Sequence, residues 1–199
     1  MFAFLAGVAA GLLHVVSGPD HLAAVAPLAS DRERGQWLTG LQWGVGHTAG
    51  VLVIASLLLL LKAQLPLDSI SAYSERIVGA SLIMIGSWGV WRAFNRHRQP
   101  HQHSHSHAGA SLSMGVIHGL AGSSHLFGVL PALAFPSRSS SVLYLAGFGL
   151  GAIAGMTAFS AVVGLLSSKL DRRSRGYGSM LYASSAAALV VGGVWMLGQ

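Results

Sequence analysis

The sequence predicts an all-α integral membrane protein: six transmembrane helices forming two inverted three-helix repeats, the first helix of each repeat broken near its glycine. Three observations lead there. Hydrophobic residues fill 52% of the 199 positions and charged residues 9%, with a mean hydropathy of +0.58, a balance that a soluble domain of this size seldom reaches. Apolar stretches able to supply the ~20 residues of helix that cross a bilayer recur along the chain, and short loops between them hold nearly every charge. The second half of the chain also repeats the first.

The spans are read as residues 2–29, 37–61, 76–94, 111–135, 141–168 and 178–198. The first opens on an apolar run that resembles the core of a secretory signal. It has no basic flank and continues without interruption to His14, so it is read as a span rather than a cleaved leader. Within it, Ser17-Gly18-Pro19 predicts a break, because Pro removes a backbone donor and disrupts the preceding turn while Gly tolerates non-helical dihedrals. The second span carries His47, and the third ends on Val90-Trp91. The fourth opens the second copy with His118, Gly122 and His125, and the fifth and sixth complete it. The domain reading is therefore 1–94 for the first repeat, 95–110 for a His-rich loop and 111–199 for the second repeat. The 26 glycines suit close helix contacts in lipid, where small residues let backbones approach.

Residues 11–22, with His14, Gly18 and His21, align with residues 115–126, with His118, Gly122 and His125, and Pro27 then meets Pro131. Trp43-Gly-Val-Gly-His47 aligns with Phe148-Gly-Leu-Gly-Ala152, and Tyr73 and Val90-Trp91 with Tyr177 and Val194-Trp195. The offset is 104 or 105 residues, as 118 − 14 and 152 − 47 give. A three-helix unit ends on the side of the membrane opposite its start, so the second copy is inverted. Arg32, Arg34, Arg92, Arg96, Arg98, Lys169, Arg172, Arg173 and Arg175 fall in the loops of one face, against Lys62, Arg76 and Arg138 on the other. The positive-inside rule makes the first face cytoplasmic. Both termini are then outside and the His-rich loop inside, and a plasma (inner) membrane location is expected.

The net charge of +6 lies in loops between spans and does not point to nucleic acid. With no cysteine in the chain, thiolate metal sites and disulfides are excluded. Any metal ligand is nitrogen or oxygen.

Asp31, Glu33, Asp68, Glu75 and Asp171 fall in or beside loops, which leaves Asp20 as the acidic residue well inside a span. A carboxylate there costs about 3 kcal/mol or more unless paired, hydrated or holding an ion. The bland reading is that Asp20 caps a helix restarting after Ser17-Gly18-Pro19. His14, His21, His47, His118 and His125 also fall inside spans. His14 and His21 are seven residues apart and share a face, but on an unbroken helix they would stand ~10 Å apart, too far for one ion bound at ~2 Å. A break at Ser17-Gly18-Pro19 brings them closer and exposes backbone where discontinuous helices hold ions. In the second copy Ser123-Ser124 replaces Pro19-Asp20 and Ala152 stands at the counterpart of His47, so the site is asymmetric: the first copy supplies the negative charge and an extra imidazole, the second two imidazoles and hydroxyls, on the same or the opposite half of the pathway. Gly122, Ser123 and Ser124 complete the expected break and pathway residues. Imidazole with one carboxylate suits nickel, cobalt, zinc or copper better than magnesium or calcium.

At these residues the chain resembles the nickel/cobalt transporter superfamily, especially its six-span, urease-accessory-type permease branch. The carrier of the resemblance is His14-Val-Val-Ser-Gly-Pro-Asp20-His21-Leu22, similar to the histidine-and-aspartate signature of that family's first conserved span, together with His47, His118 and His125. The spacing between His14 and Asp20 is one residue longer than in the best-known nickel uptake permeases. The resemblance implies passage of Ni²⁺ or Co²⁺ as transported ion, with His14, Asp20 and His21 as ligands or selectivity elements. His97, His101, His103, His105 and His107 form a compositional signal for weak metal binding, against a bland reading as a hydrophilic linker.

The expected function is thus secondary or facilitated transport of a divalent transition metal, open to proton coupling because protonated imidazole cannot ligate metal. No nucleotide-binding signature appears and no cofactor is expected. An enzyme is not expected either, as no His-Glu-x-x-His pattern occurs. The competing class is a membrane-anchored metal sensor or accessory subunit. Expected partners are the metal ion and the lipid bilayer, with a homo-oligomer and nickel-enzyme maturation proteins as further candidates.

Overall fold

A computed structural model describes the backbone of residues 1–31, 35–61, 67–95, 108–120, 124–171 and 174–197, and leaves the side chains at 31, 58–61, 67–75, 108 and 124–127 outside the description. The described residues form eight α-helices and no strand: α1 (Phe2–Ser17), α2 (Pro19–Asp31), α3 (Trp37–Leu61), α4 (Leu67–Asn95), α5 (Ala108–Leu120), α6 (Ser124–Ala134), α7 (Arg138–Ser168) and α8 (Arg175–Leu197).

The surface is apolar where a soluble protein would be polar. Phe2, Leu13, Val16, Met84, Phe94, Val142, Leu150, Leu165, Val190 and Val194 are all exposed, a distribution suited to a hydrocarbon solvent. Among the described residues three helical segments are long and apolar enough to cross a membrane, Arg76–Asn95, Arg138–Ser168 and Arg175–Leu197, and the bent pair α1–α2 makes a fourth. The sequence predicts six. The other two expected spans, 37–61 and 111–135, run through residues outside the described ones.

Helix pairing follows small residues. α1 buries Ala3, Gly7, Gly11 and Val15, one position every fourth residue, and lays that stripe on α7. A side chain at Gly11 would strike the Phe148 carbonyl and the Ala152 amide; one at Gly151 would strike the Val8 carbonyl and the Leu12 amide. The contact between α3 and α5 has the same construction. There Gly115 faces the Trp43 carbonyl and the His47 amide, and Gly46 faces the Leu112 carbonyl and the Val116 amide. These two sets of contacts map onto each other at the offsets of 104 and 105 found in the sequence. α4 and α8 meet through Gly79 and Gly192, where an added Cβ would come within 2.9 and 2.8 Å of the other's carbonyl oxygen.

α2 is the innermost element. It contacts α1, α3, α4, α7 and α8, and Ala23, Ala24, Val25 and Ala29 join Val15, Trp43, Leu82, Met156 and Ala188 in one buried cluster. A second cluster gathers Ala3, Val51, Ala55, Val129, Tyr144 and Phe148. Buried backbone in lipid must be satisfied internally, and α2 ends this way: Tyr177 donates its hydroxyl to the Ser30 carbonyl at 3.1 Å.

Candidate metal centre

The break expected at Ser17-Gly18-Pro19 is present. α1 ends at Ser17, α2 begins at Pro19, and the pair bends by 73°. Gly18 has φ −90° and ψ 98°, extended backbone open to any residue, so its requirement for glycine comes from space. A Cβ at Gly18 would collide with His21 Nδ1 and lie 2.9 Å from Asp20 Oδ1. The Gly18 amide donates to the His14 carbonyl at 3.0 Å and its carbonyl accepts from the His21 amide at 3.2 Å, so one residue closes α1 and opens α2. Asp20 therefore lies inside the first turn of α2 rather than capping it. Its carboxylate is used elsewhere.

Asp20 Oδ1 lies 3.0 Å from His21 Nδ1, and Oδ2 lies 3.0 Å from His118 Nε2. An ionised carboxylate only accepts, so with Asp20 ionised both ring nitrogens donate. The group is dry: Asp20 is 2% exposed, His21 and His47 0%, and His118 1%. Four imidazoles meet there. The His21 ring centroid stands 4.6 Å from that of His14, 4.8 Å from that of His47 and 4.8 Å from that of His118. The seven-residue separation of His14 and His21 is thus collapsed by the bend. His47 arrives from α3, held against α5 where Gly119 meets its carbonyl.

Of the two second-copy imidazoles, His118 faces Asp20. Its bond to Asp20 spans 98 residues and joins it to the first-copy cluster, because the glycine contacts seat α5 directly on α3. Ser17 is not brought in; its hydroxyl donates to the Leu13 carbonyl at 2.7 Å on an exposed face. Pro19 is also exposed and acts through the bend. Gly122 and Ser123 lie outside the described residues, as do the side chains of Ser124 and His125 and the whole of His97, His101, His103, His105 and His107.

Two neighbours escaped the sequence reading as site residues. The ring of Trp43 lies 5.8 Å from that of His118, and Phe148 lies 5.4 Å from His14. Each comes from a different buried cluster, so the imidazoles are bracketed by aromatic walls. Trp43 aligns with Phe148, and His118 with His14, so the two contacts are counterparts.

Two three-residue groups have the composition of a cation site, His14/His21/His47 and Asp20/His21/His118, the ligand atoms of each lying within 4.8 Å of one another. A tetrahedral ion with bonds of ~2 Å needs donors ~3.3 Å apart, within reach of small side-chain rotations. Nitrogen-rich donors with one carboxylate fit borderline transition metals rather than magnesium or calcium.

The chain is similar to two proteins of Arabidopsis thaliana, Chloroplast protein FOR GROWTH AND FERTILITY 2, at 36% identity over 94% of this chain and 54% of that protein, and Chloroplast protein FOR GROWTH AND FERTILITY 1, at 34% over 94% and 56%. It spans about half the length of these two relatives. It is also similar to Urease accessory protein UreH of Bacillus sp. (strain TB-90), at 27% identity over 94% of this chain and 86% of that protein. No family model and no solved structure matches the chain.

Proposed function

We propose that the chain carries a divalent transition-metal cation, Ni²⁺ or Co²⁺ in preference, across a membrane through the Asp20/histidine cluster, as a secondary transporter or facilitator and not as an enzyme. The observation that carries this reading is the meeting of one carboxylate and four imidazoles, all buried except the half-buried His14, inside an apolar-surfaced helix bundle. Such groups are costly in lipid, and their convergence is worth that cost where an ion must shed water. Protonated imidazole cannot ligate metal, so protons compete with the ion for the site and the passage is open to coupling with a proton gradient.

The same reading takes the protein as six spans in two inverted repeats, 1–94 and 111–199, with the His-rich loop 95–110 on the cytoplasmic side and both termini outside a plasma (inner) membrane. The reciprocal glycine contacts of α1 with α7 and of α3 with α5 support that arrangement. Similarity to a protein named for a urease accessory role supports the nickel assignment and the superfamily resemblance. That name also favours a second reading, a membrane-anchored accessory subunit that binds metal without moving it, with nickel-enzyme maturation proteins as partners.

Purified protein in sealed vesicles separates the two. Transport predicts protein-dependent entry of Ni²⁺ or Co²⁺, abolished by Asp20→Asn or His21→Ala and tolerant of deleting residues 97–107. Binding without entry favours the accessory reading, and entry that survives His14→Ala, Asp20→Ala and His21→Ala combined overturns the site.

A further inference from the structure

The two candidate groups are not independent. His21 belongs to both, and it sits in the middle of the cluster, with His14 and His47 on one side of the contact network and Asp20 and His118 on the other. We propose that the protein holds one cation at a time in two alternative positions that share His21, a neutral all-imidazole position (His14, His21, His47) and a carboxylate-bearing position (Asp20, His21, His118). This deepens the proposed function and rests on it.

Chemistry forbids filling both positions together. A neutral imidazole offers one lone pair, its other nitrogen carrying a proton, so His21 serves one ion at a time. Two divalent cations within a cluster of this width would also repel each other strongly in a dry interior. The positions differ in origin as well as in charge. The imidazole position is built wholly from residues 14–47, on α1, α2 and α3, whereas the carboxylate position needs His118 from α5. A displacement of the second half against the first would leave one position whole and dismantle the other, with His21 as the ligand that never lets go.

The test is Co²⁺ binding to the full chain in detergent, read as stoichiometry and as the ligand-field spectrum, beside Co²⁺ entry into vesicles. Wild type binds one ion per chain. His118→Asn keeps binding within about tenfold, with a spectrum lacking the carboxylate contribution, and His47→Asn keeps binding with that contribution retained. His21→Asn weakens binding by about 100-fold or more, as much as His47→Asn and His118→Asn combined. Entry falls in each single variant, since both positions lie on the path. Two ions per wild-type chain overturns the proposal, a result that needs no variant to fold. So does a His47→Asn or His118→Asn loss equal to that of His21→Asn, which would mean a single composite site while leaving the transport reading intact. Wild type that binds no Co²⁺ brings down the underlying reading as well.

Discussion

At the scale of single residues, Asp20 has the most to answer for. Asp20→Asn preserves shape and offers an amide to His21 and His118 but removes the charge, so metal affinity is expected to fall by no more than about tenfold, the all-imidazole position remaining, with the protein still monodisperse; equilibrium dialysis against Ni²⁺ checks this. Protons compete with metal for imidazole nitrogen, so binding is strongest at neutral or alkaline pH and weakens as pH falls. Titrating Co²⁺ affinity between mildly acidic and mildly alkaline buffers reads the sign directly, and affinity that rises on acidification contradicts the imidazole shell. His14, Asp20, His21 and His47 were legible in the sequence because polar side chains stand out against an apolar span. Trp43 and Phe148 were not, since an aromatic ring in a membrane helix is ordinarily packing. The place of His118 was hidden for another reason: sequence gives its register on α5 but not which helix α5 crosses.

Among the elements, the junction of α1 and α2 was readable from Ser17-Gly18-Pro19, although its 73° bend was not, because proline says where a helix is interrupted and the neighbours decide how far it turns. Gly18→Ala is expected to leave helix content unchanged in circular dichroism, as the backbone there suits alanine, yet to push His21 and Asp20 apart and weaken Co²⁺ binding about tenfold or more. The seam between α3 and α5 makes a contrasting case. Gly119→Leu forces the His47 backbone away and is expected to lower stability by about 1–3 kcal/mol, as overpacking does, visible as a lowered melting temperature in detergent. The glycine spacing announced close contacts without naming partners. That α1 pairs with α7 and α3 with α5, rather than each with its sequence neighbour, emerges only when two halves interlock.

For the whole molecule, the all-helical, apolar-surfaced character followed directly from composition, because solvent preference is additive over residues. Of the six expected crossings, 37–61 and 111–135 run through residues outside the description. With no cysteine in the chain, single substitutions report sidedness without further engineering. Asp171→Cys is expected to react with an impermeant maleimide from the cytoplasmic side and Arg138→Cys from the opposite side; labelling of both from one side would reject the proposed threading. The bond between Asp20 and His118 has a last consequence, for biogenesis. During synthesis the carboxylate enters lipid with His21 as its hydrogen-bond partner from its own half, and its second imidazole partner is delivered only after some hundred further residues have left the ribosome. Maturation is thus completed late and all at once. A fragment ending at Asn95 is expected to be cleared by membrane proteases faster than the intact chain in a pulse-chase, and supplying the missing half as a separate polypeptide should prolong its lifetime.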